Sequence, residues 1–259
     1  MFFGEVKTES SLGGILSSSM EVYKDKKKLK ISKGTVINKN LVDLFLLNNI
    51  KHVICAKLDN DEVEENTAVF MISKEIIASK NSFIKIQDPK NGRCNLVSIV
   101  DGIIEFQPNQ LYSINSITDD VGVASLKPFS KVKKNQIIAS IKAIPFGIKI
   151  KHLQNIINIS QDCFKILPFQ KKNIHLIQTT NQNTREKILE KTLEVTKDRL
   201  SSCGINQITE KKCLHEIKSI CLELNESINE NADIILIFGT SAICDVNDVI
   251  PQSIKEIKG

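Results

Sequence analysis

The sequence predicts a mixed α/β protein whose C-terminal part, residues 171–259, forms a parallel sheet covered by helices. Two short apolar runs, Ile174–Thr179 and Asp233–Phe238, have the length of buried strands and are bounded by polar residues. Amphipathic runs with helical spacing separate and follow them. Such alternation of strands and helices predicts parallel pairing. Before this domain we expect a small α+β module (1–80), a β-rich module (82–147), and a connecting helix and linker (148–170).

The first module is predicted from alternating short strands and one helix. Lys33–Ile37 and Lys51–Lys57 have the pattern of strands, and Asn40–Leu47 carries apolar residues at helical spacing. Asn48 and Asn49 are expected to end this helix, because asparagine tolerates the left-handed conformation.

The second module is predicted to be all β, because short β-rich runs alternate with turns such as Pro89–Gly92 and Lys133–Asn135. The expected strands cover Phe83–Ile86, Leu96–Val100, Ile103–Phe106, Val121–Leu126 and Gln136–Ala143. After them, Lys149–Ile159 is expected to form the connecting helix. Leu167–Phe169 marks a boundary, because a residue that precedes proline is disfavoured in a helix.

The C-terminal domain contains three expected helices. Asn183, with Glu186 three residues later, predicts a capping box at the start of the first helix, and Gly204 predicts its end. A second strand is expected at Ile205–Thr209. The second helix is expected to carry its apolar face at Leu214, Ile217, Cys221, Leu224 and Ile228. Pro251 suits the first turn of the third helix.

The composition favours an ordinary cytoplasmic protein. Of its 259 residues, 41% are hydrophobic and 25% are charged, which is typical of globular domains. No stretch approaches the run of about 20 apolar residues that crosses a bilayer, and the N-terminus lacks the pattern of a secretory signal. We therefore expect no membrane association. The seven cysteines show no Cys-x-x-Cys pair and no zinc spacing with the four histidines, so we expect them to be small buried residues in a reducing compartment. Cys244 is the exception to watch, because it falls inside the polar loop after Asp233–Phe238.

The net charge of +5 gives little support to nucleic-acid binding. The basic residues cluster only at Lys24–Lys30, and no aromatic residues are interleaved with them. This cluster is more typical of a solvated hairpin edge, where lysines discourage pairing with another sheet. Nucleic acid is therefore not an expected partner.

The polar loop after the Asp233–Phe238 strand has the residue types of a phosphate site. Ligands of parallel sheets gather at the carboxyl ends of the strands. There Gly239 allows close approach of the backbone, and the hydroxyls of Thr240 and Ser241 can contact phosphate oxygens. Asp245 and Asp248 could hold Mg²⁺ or position a phosphate-bearing substrate, whereas Asp248 could instead satisfy free amides at the helix start. The loop Gln178–Thr184 is expected at the same sheet edge.

The order of these motifs resembles the molybdopterin-binding domain family of molybdenum-cofactor biosynthesis. This resemblance rests on the Asp233–Ser241 run with its Gly-Thr-Ser loop and on the Asp248-Val-Ile-Pro251 helix start. Ile174–Thr180 and Lys191–Leu200 are similar to one branch of that family, which is sometimes fused to a cytidylyltransferase. Four segments earlier in the chain also resemble that branch: Phe3–Val6, Gly14–Leu16, Gly34–Ile37 and Ile141–Phe146.

The resemblance implies binding of molybdopterin, a pterin with a dithiolene and a terminal phosphate. Its implied phosphate-binding residues are Gly239, Thr240 and Ser241, with Thr179 and Thr180 lining the same pocket. Asp248 is the implied functional carboxylate and ligand of Mg²⁺, and Asp245 is a second candidate for the chemistry. At the second helix, relatives carry an acidic residue where this chain offers Glu216 or His215, and His215 is expected at the surface or the helix start. The resemblance also implies that the domain is incomplete at its C-terminal end, and that Phe238 replaces a glycine found in many relatives.

Three functional hypotheses remain from the sequence. The first is a transferase that supports molybdate insertion or nucleotide transfer to the pterin phosphate. The second is a non-catalytic module that delivers the pterin to a separate cytidylyltransferase, and the third is an inactive, truncated fragment. A competence-inducible type of nucleotide-processing enzyme shares this kind of domain, but the N-terminal resemblance argues against it. Molybdopterin, a nucleotide, molybdate, a cytidylyltransferase and a second copy of the chain are the expected partners.

Overall fold

The computed structural model describes residues 1–78 and 82–258, and in it the chain forms two compact units. The first unit spans Met1–Pro168 and the second Phe169–Gly259. The expected boundary between the first two modules, at residues 80–82, lies partly outside the described residues. Gly259 lies wholly outside them. Among the described helices, none combines the length and the apolar character that a bilayer crossing requires.

The first unit is a mixture of antiparallel sheets and helices. Its strands are β1 (Phe2–Lys7), β2 (Ile15–Leu16), β3 (Met20–Lys24), β4 (Lys27–Ile31), β5 (His52–Lys57), β6 (Glu62–Glu64), β7 (Ile84–Ile86), β8 (Arg93–Ser98), β9 (Gly102–Glu105), β10 (Val121–Ser125), β11 (Lys131–Val132), β12 (Ile137–Ala143), β13 (Gly147–Lys149) and β14 (Lys165–Pro168). Its helices are α1 (Lys39–Leu47), α2 (Glu65–Glu75), α3 (Pro108–Asn115) and α4 (Ile150–Ser160), and Thr8–Ser10 forms a 3₁₀ turn.

The N-terminal part of this unit has most of the expected elements. The lysine-rich segment forms the β3–β4 hairpin, whose turn residues Asp25 and Lys26 both have positive φ. Helix α1 and strand β5 are confirmed, and Asn49 follows α1 with φ of 57°. The strand expected at Lys33–Ile37 is wrong, because only an isolated bridge from Val36 to Ile15 forms there.

The β-rich part contains the expected strands but is not all β. Helix α3 starts at Pro108, which suits a first helical position because its missing N–H needs no partner there. It buries only Ile114, so its apolar periodicity is too weak to be seen in the sequence. Helix α4 and the fully buried Phe164 pack into the same core as these strands, and β14 pairs with β9. Residues 148–168 therefore belong to the first unit.

The second unit is a three-stranded parallel sheet with helices in the connections. Its elements are β15 (Ile174–Thr180), α5 (Glu186–Ser201), β16 (Ile208–Leu214), α6 (Ile217–Asn229), β17 (Ile234–Phe238) and α7 (Val249–Glu256). Strand β15 is central and lies between β16 and β17. Ile177 of β15 is fully buried against Ile220 and Leu224 of α6 and Ile250 of α7. The expected parallel sheet is thus confirmed.

Two boundaries in this unit differ from the expectation. Strand β16 runs from Ile208 to Leu214, so Leu214 is the end of a strand and not part of α6. The charged residues of β16 obscured it in the sequence. An edge strand tolerates them, and the Lys211 ammonium pairs with Glu226 at 2.9 Å and Glu230 at 3.1 Å. The expected capping box at Asn183 is also wrong, because α5 begins after Arg185 without a side-chain cap.

Candidate functional site

The polar residues of the second unit meet where its three parallel strands end. Thr179 is the second-last residue of β15, His215 directly follows β16, and Gly239 directly follows β17. The pairing register brings these ends level, because Thr180 is the partner of Leu214 and Gln178 is the partner of Phe238. The carboxyl edge of a parallel sheet is the usual place for a ligand.

Thr179 is the centre of this site. Its side chain is buried, with 1% of the residue exposed. The backbone N–H of Thr240 donates to Thr179 Oγ1 at 3.0 Å, and the same oxygen lies 2.8 Å from His215 Nδ1. The hydroxyl can donate to the Phe238 carbonyl at 3.3 Å. One hydroxyl therefore joins the two loops that the sequence singled out.

His215 lies inside this cluster and not at an open surface. Its ring is held between two hydroxyls, because Nδ1 faces Thr179 Oγ1 and Nε2 lies 3.3 Å from Ser241 Oγ. Its backbone N–H donates to the Thr180 carbonyl at 2.9 Å, which continues the β15–β16 pairing by one residue. His215 is half-buried and directly precedes Glu216, the N-cap of α6, so the expected position at the helix start is confirmed. Because β16 ends at Leu214, the same residue also lies at the sheet edge.

Gly239 is required by close packing. A Cβ at this position would lie 2.8 Å from Ile250 Cδ1 and 3.0 Å from the Ser241 carbonyl oxygen. Such contacts are shorter than van der Waals separation, so the loop can pass this closely to α7 only without a side chain. The glycine thereby keeps Thr240 and Ser241 near His215.

Asp248 holds the loop that precedes α7. It occupies the N-cap position, but its side chain accepts no hydrogen bond from the helix amides. Instead, Oδ2 accepts from the N–H groups of Cys244 at 2.7 Å and Asp245 at 2.9 Å. These two N–H groups, together with the nearby His215, lower the pKa of Asp248 from its ordinary value. The alternative that Asp248 satisfies free amides at the helix start is therefore wrong. Asp248 instead accepts hydrogen bonds from amides of the loop before the helix.

The other predicted site residues have local partners. The Thr180 hydroxyl donates to the Cys213 carbonyl at 3.0 Å, and Asp245 Oδ1 accepts from the Asn247 N–H at 2.7 Å. In the first loop, Asn181 Oδ1 accepts from the N–H of Asn183 at 2.9 Å. A cavity of about 310 Å³ opens between the two loops, and its polar lining includes Thr179, Asn181, Asn183, Thr184, Gly239 and Thr240.

The donor set at this edge suits a phosphate group better than a protein-only metal site. Within the described residues, no group of three His, Cys, Asp or Glu side chains could hold a metal ion. Asp245 and Asp248 each use one carboxylate oxygen to accept hydrogen bonds from backbone N–H groups. The second oxygen of each carboxylate is a possible ligand atom. Magnesium commonly takes one or two carboxylates and completes its shell with water and substrate phosphates, and these two side chains are the carboxylates that this loop offers.

The cysteines divide by burial. Cys55, Cys94 and Cys163 are buried as expected, and burial raises the pKa of the Cys163 thiol to about 12. Cys203, Cys213 and Cys221 are half-buried, and Cys244 is exposed. Cys244, the exception that the sequence set apart, lies in the loop that Asp248 holds. The expected burial of the others is only partial for Cys203, Cys213 and Cys221.

Comparison with models of known protein families and with curated proteins gives no match for this chain.

Proposed function

We propose that the second unit binds molybdopterin and supports a step of molybdenum-cofactor biosynthesis, either molybdate insertion or nucleotide transfer to the pterin phosphate. The proposal starts from the family resemblance of the Gly239-Thr-Ser loop and the Asp248-Val-Ile-Pro helix start. The observation that carries it is the hydrogen bond from the Thr240 N–H to Thr179 Oγ1, at 3.0 Å. This bond joins the two loops that the resemblance implies for the pocket.

The phosphate of the pterin would lie at the loop Gly239–Ser241. Gly239 is exposed, and so is the Ser241 side chain at the sheet edge. The Ser241 hydroxyl is a donor for a phosphate oxygen. The cavity between the two loops would receive the pterin itself, because its lining is rich in amide and hydroxyl groups.

Magnesium would join the substrate phosphate to Asp248. The Oδ2 atom of Asp248 is committed to two loop amides, which leaves its second oxygen for the ion. Asp245 lies within the same loop and is the second candidate ligand. A bound Mg²⁺ would neutralise charge on the transferring phosphate group.

A non-catalytic delivery module is the second candidate function. The observation that favours it is the structural use of Asp248, whose carboxylate orders the loop through two N–H bonds. In that case the protein would present molybdopterin to a separate cytidylyltransferase, and its own Mg²⁺ requirement would vanish. The two candidates differ in whether the purified chain turns over molybdopterin with nucleotide or molybdate.

The test is anaerobic titration of molybdopterin with the purified chain, followed by pterin fluorescence with and without Mg²⁺. The chain has no tryptophan, so protein emission interferes little. We expect saturable quenching, and we expect Ser241→Ala to weaken the binding about tenfold, which corresponds to the loss of one hydrogen bond to a charged group.

Ser201→Ala is the matched control. The Ser201 hydroxyl donates to the Asp198 carbonyl within α5 and is exposed, so its removal should leave the titration unchanged. A folded chain that gives no saturable quenching would refute the proposal. Binding that is equal with and without Mg²⁺, and without turnover, would favour the delivery module.

A further inference from the structure

The hydrogen bonds around Thr179 favour one tautomer of His215. Thr179 Oγ1 has one hydrogen to donate and two lone pairs that accept. The Phe238 carbonyl can only accept, and the Thr240 N–H can only donate. These two groups and His215 Nδ1 are all satisfied by this hydroxyl when Nδ1 carries the ring hydrogen.

In that tautomer the other ring nitrogen of His215 is a base. Nε2 then has a free lone pair, and it faces Ser241 Oγ at 3.3 Å. A protonated His215 ring would have a negative charge nearby. Asp248 lies close enough that the charge of His215 favours the ionised form of its carboxyl group. A nucleophile, a base and an oriented third group are the components of a serine hydrolase relay.

We propose that Thr179, His215 and Ser241 form a proton relay that makes Ser241 a nucleophile towards carboxylic esters. Thr179 takes the position of the usual aspartate as the group that orients the ring, and it is a positioning residue. Ser241 is exposed and can be reached by a substrate. This activity goes beyond molybdopterin binding and does not depend on it.

The reaction balances without a cofactor. Ser241 Oγ bonds to the ester carbonyl carbon while its proton moves to His215 Nε2. The bond between that carbon and the alcohol oxygen breaks, and the alcohol leaves with the proton from Nε2. Water then gives a proton to Nε2 and attacks the acyl carbon. The bond to Ser241 breaks, Oγ recovers the proton, and the carboxylic acid is released.

The experiment is labelling of the full chain with a fluorescent fluorophosphonate, read by intact mass and peptide mapping. We expect one adduct, on Ser241, and its rate is measured as a function of pH. His215→Ala should slow the labelling by about 100-fold or more, which is the usual effect of removing a general base. Hydrolysis of p-nitrophenyl acetate should fall in parallel.

Matched variants separate the relay from the fold. His152→Ala removes a histidine of the first unit that faces Asp120 and should label like the parent chain. Thr179→Ser keeps the hydroxyl and should retain both the rate and the pH profile, whereas Thr179→Val should lower the rate and shift the profile. If His215→Ala unfolds, His215→Gln keeps a side chain that can bond to Thr179 but takes up no proton.

Two results would overturn the relay. One is a folded parent chain, verified by circular dichroism, that gives no adduct on Ser241 beyond the level of the urea-unfolded chain. The other is an adduct that forms equally fast after His215→Gln. Because the probe contains no pterin, a failure here is distinct from a failure of molybdopterin to bind.

Discussion

Replacement of Thr179 by valine should destabilise the second unit through lost hydrogen bonds alone. Valine has nearly the same shape as threonine, so the substitution opens no cavity. It removes the oxygen that receives the Thr240 N–H at 3.0 Å and faces His215 Nδ1 at 2.8 Å. Thr179 is buried, so each donor loses its partner where water has little access.

The expected cost follows from these two donors. An unsatisfied buried donor costs about 1–3 kcal/mol, and the loop can relax towards solvent, which favours the lower end of that range. We therefore expect a loss of about 2 kcal/mol in the free energy of unfolding of the second unit. With a urea m-value of about 1–2 kcal/mol per molar, the midpoint should fall by about 1–2 M.

Hydrogen exchange in graded urea measures this loss for peptides of β15 and β17. Thr180→Val is the control, because that hydroxyl makes one bond, to the Cys213 carbonyl, and its loss should cost about 1 kcal/mol or less. Thr179→Ser should stay close to the parent protein. Equal midpoints for Thr179→Val and the parent would refute the reasoning, since the hydroxyl would then contribute nothing to joining the loops.

Three further predictions concern the core, the loop and the thiols. Ile177→Ala should cost about 2–5 kcal/mol because the side chain is fully buried, whereas the exposed Ile188→Ala should change stability by less than about 0.5 kcal/mol in the same urea titration. The pKa of Asp248 is lowered in the folded protein, so its carboxylate stabilises the loop above the ordinary value of 3.8. This contribution is lost as the pH falls through the lowered value, and the amide NMR shift of Cys244 should follow that titration and lose it in Asp248→Asn. Iodoacetamide at pH 8 should alkylate the exposed Cys244 within minutes and leave Cys163 unmodified until unfolding, because burial keeps its thiol neutral with a pKa of about 12; peptide mass spectrometry separates the two.

The sequence predicted the elements whose residues carry a strong local pattern. Strands β15 and β17 were visible as apolar runs because β15 is almost wholly buried and the middle of β17 is half-buried. The β3–β4 hairpin was expected from its lysine cluster, α1 from the helical spacing of its apolar residues, and α4 as the connecting helix. Elements with a weak pattern were missed or displaced: α3 buries one side chain, and the edge strand β16 is rich in charged residues.

The candidate site was only partly visible for the same reason. Glycine and hydroxyl residues after a strand indicate a phosphate loop by their chemistry, so Gly239, Thr240 and Ser241 were predicted directly from the sequence. His215 was expected at the helix start, where it lies, but its place at the sheet edge was missed because the end of β16 was predicted too early. A strand boundary that is misplaced by a few residues hides the fact that a residue before a helix also ends a strand.

The sequence by itself determined which segments alternate as strand and helix in the second unit and which loops carry polar side chains. Hydrophobic periodicity and turn chemistry are local, so they can be read without the fold. Only the tertiary structure decided that Thr179, His215 and Ser241 meet, since they come from three segments of the chain. Their meeting depends on the register of β16 and β17 against β15, which long-range backbone pairing determines.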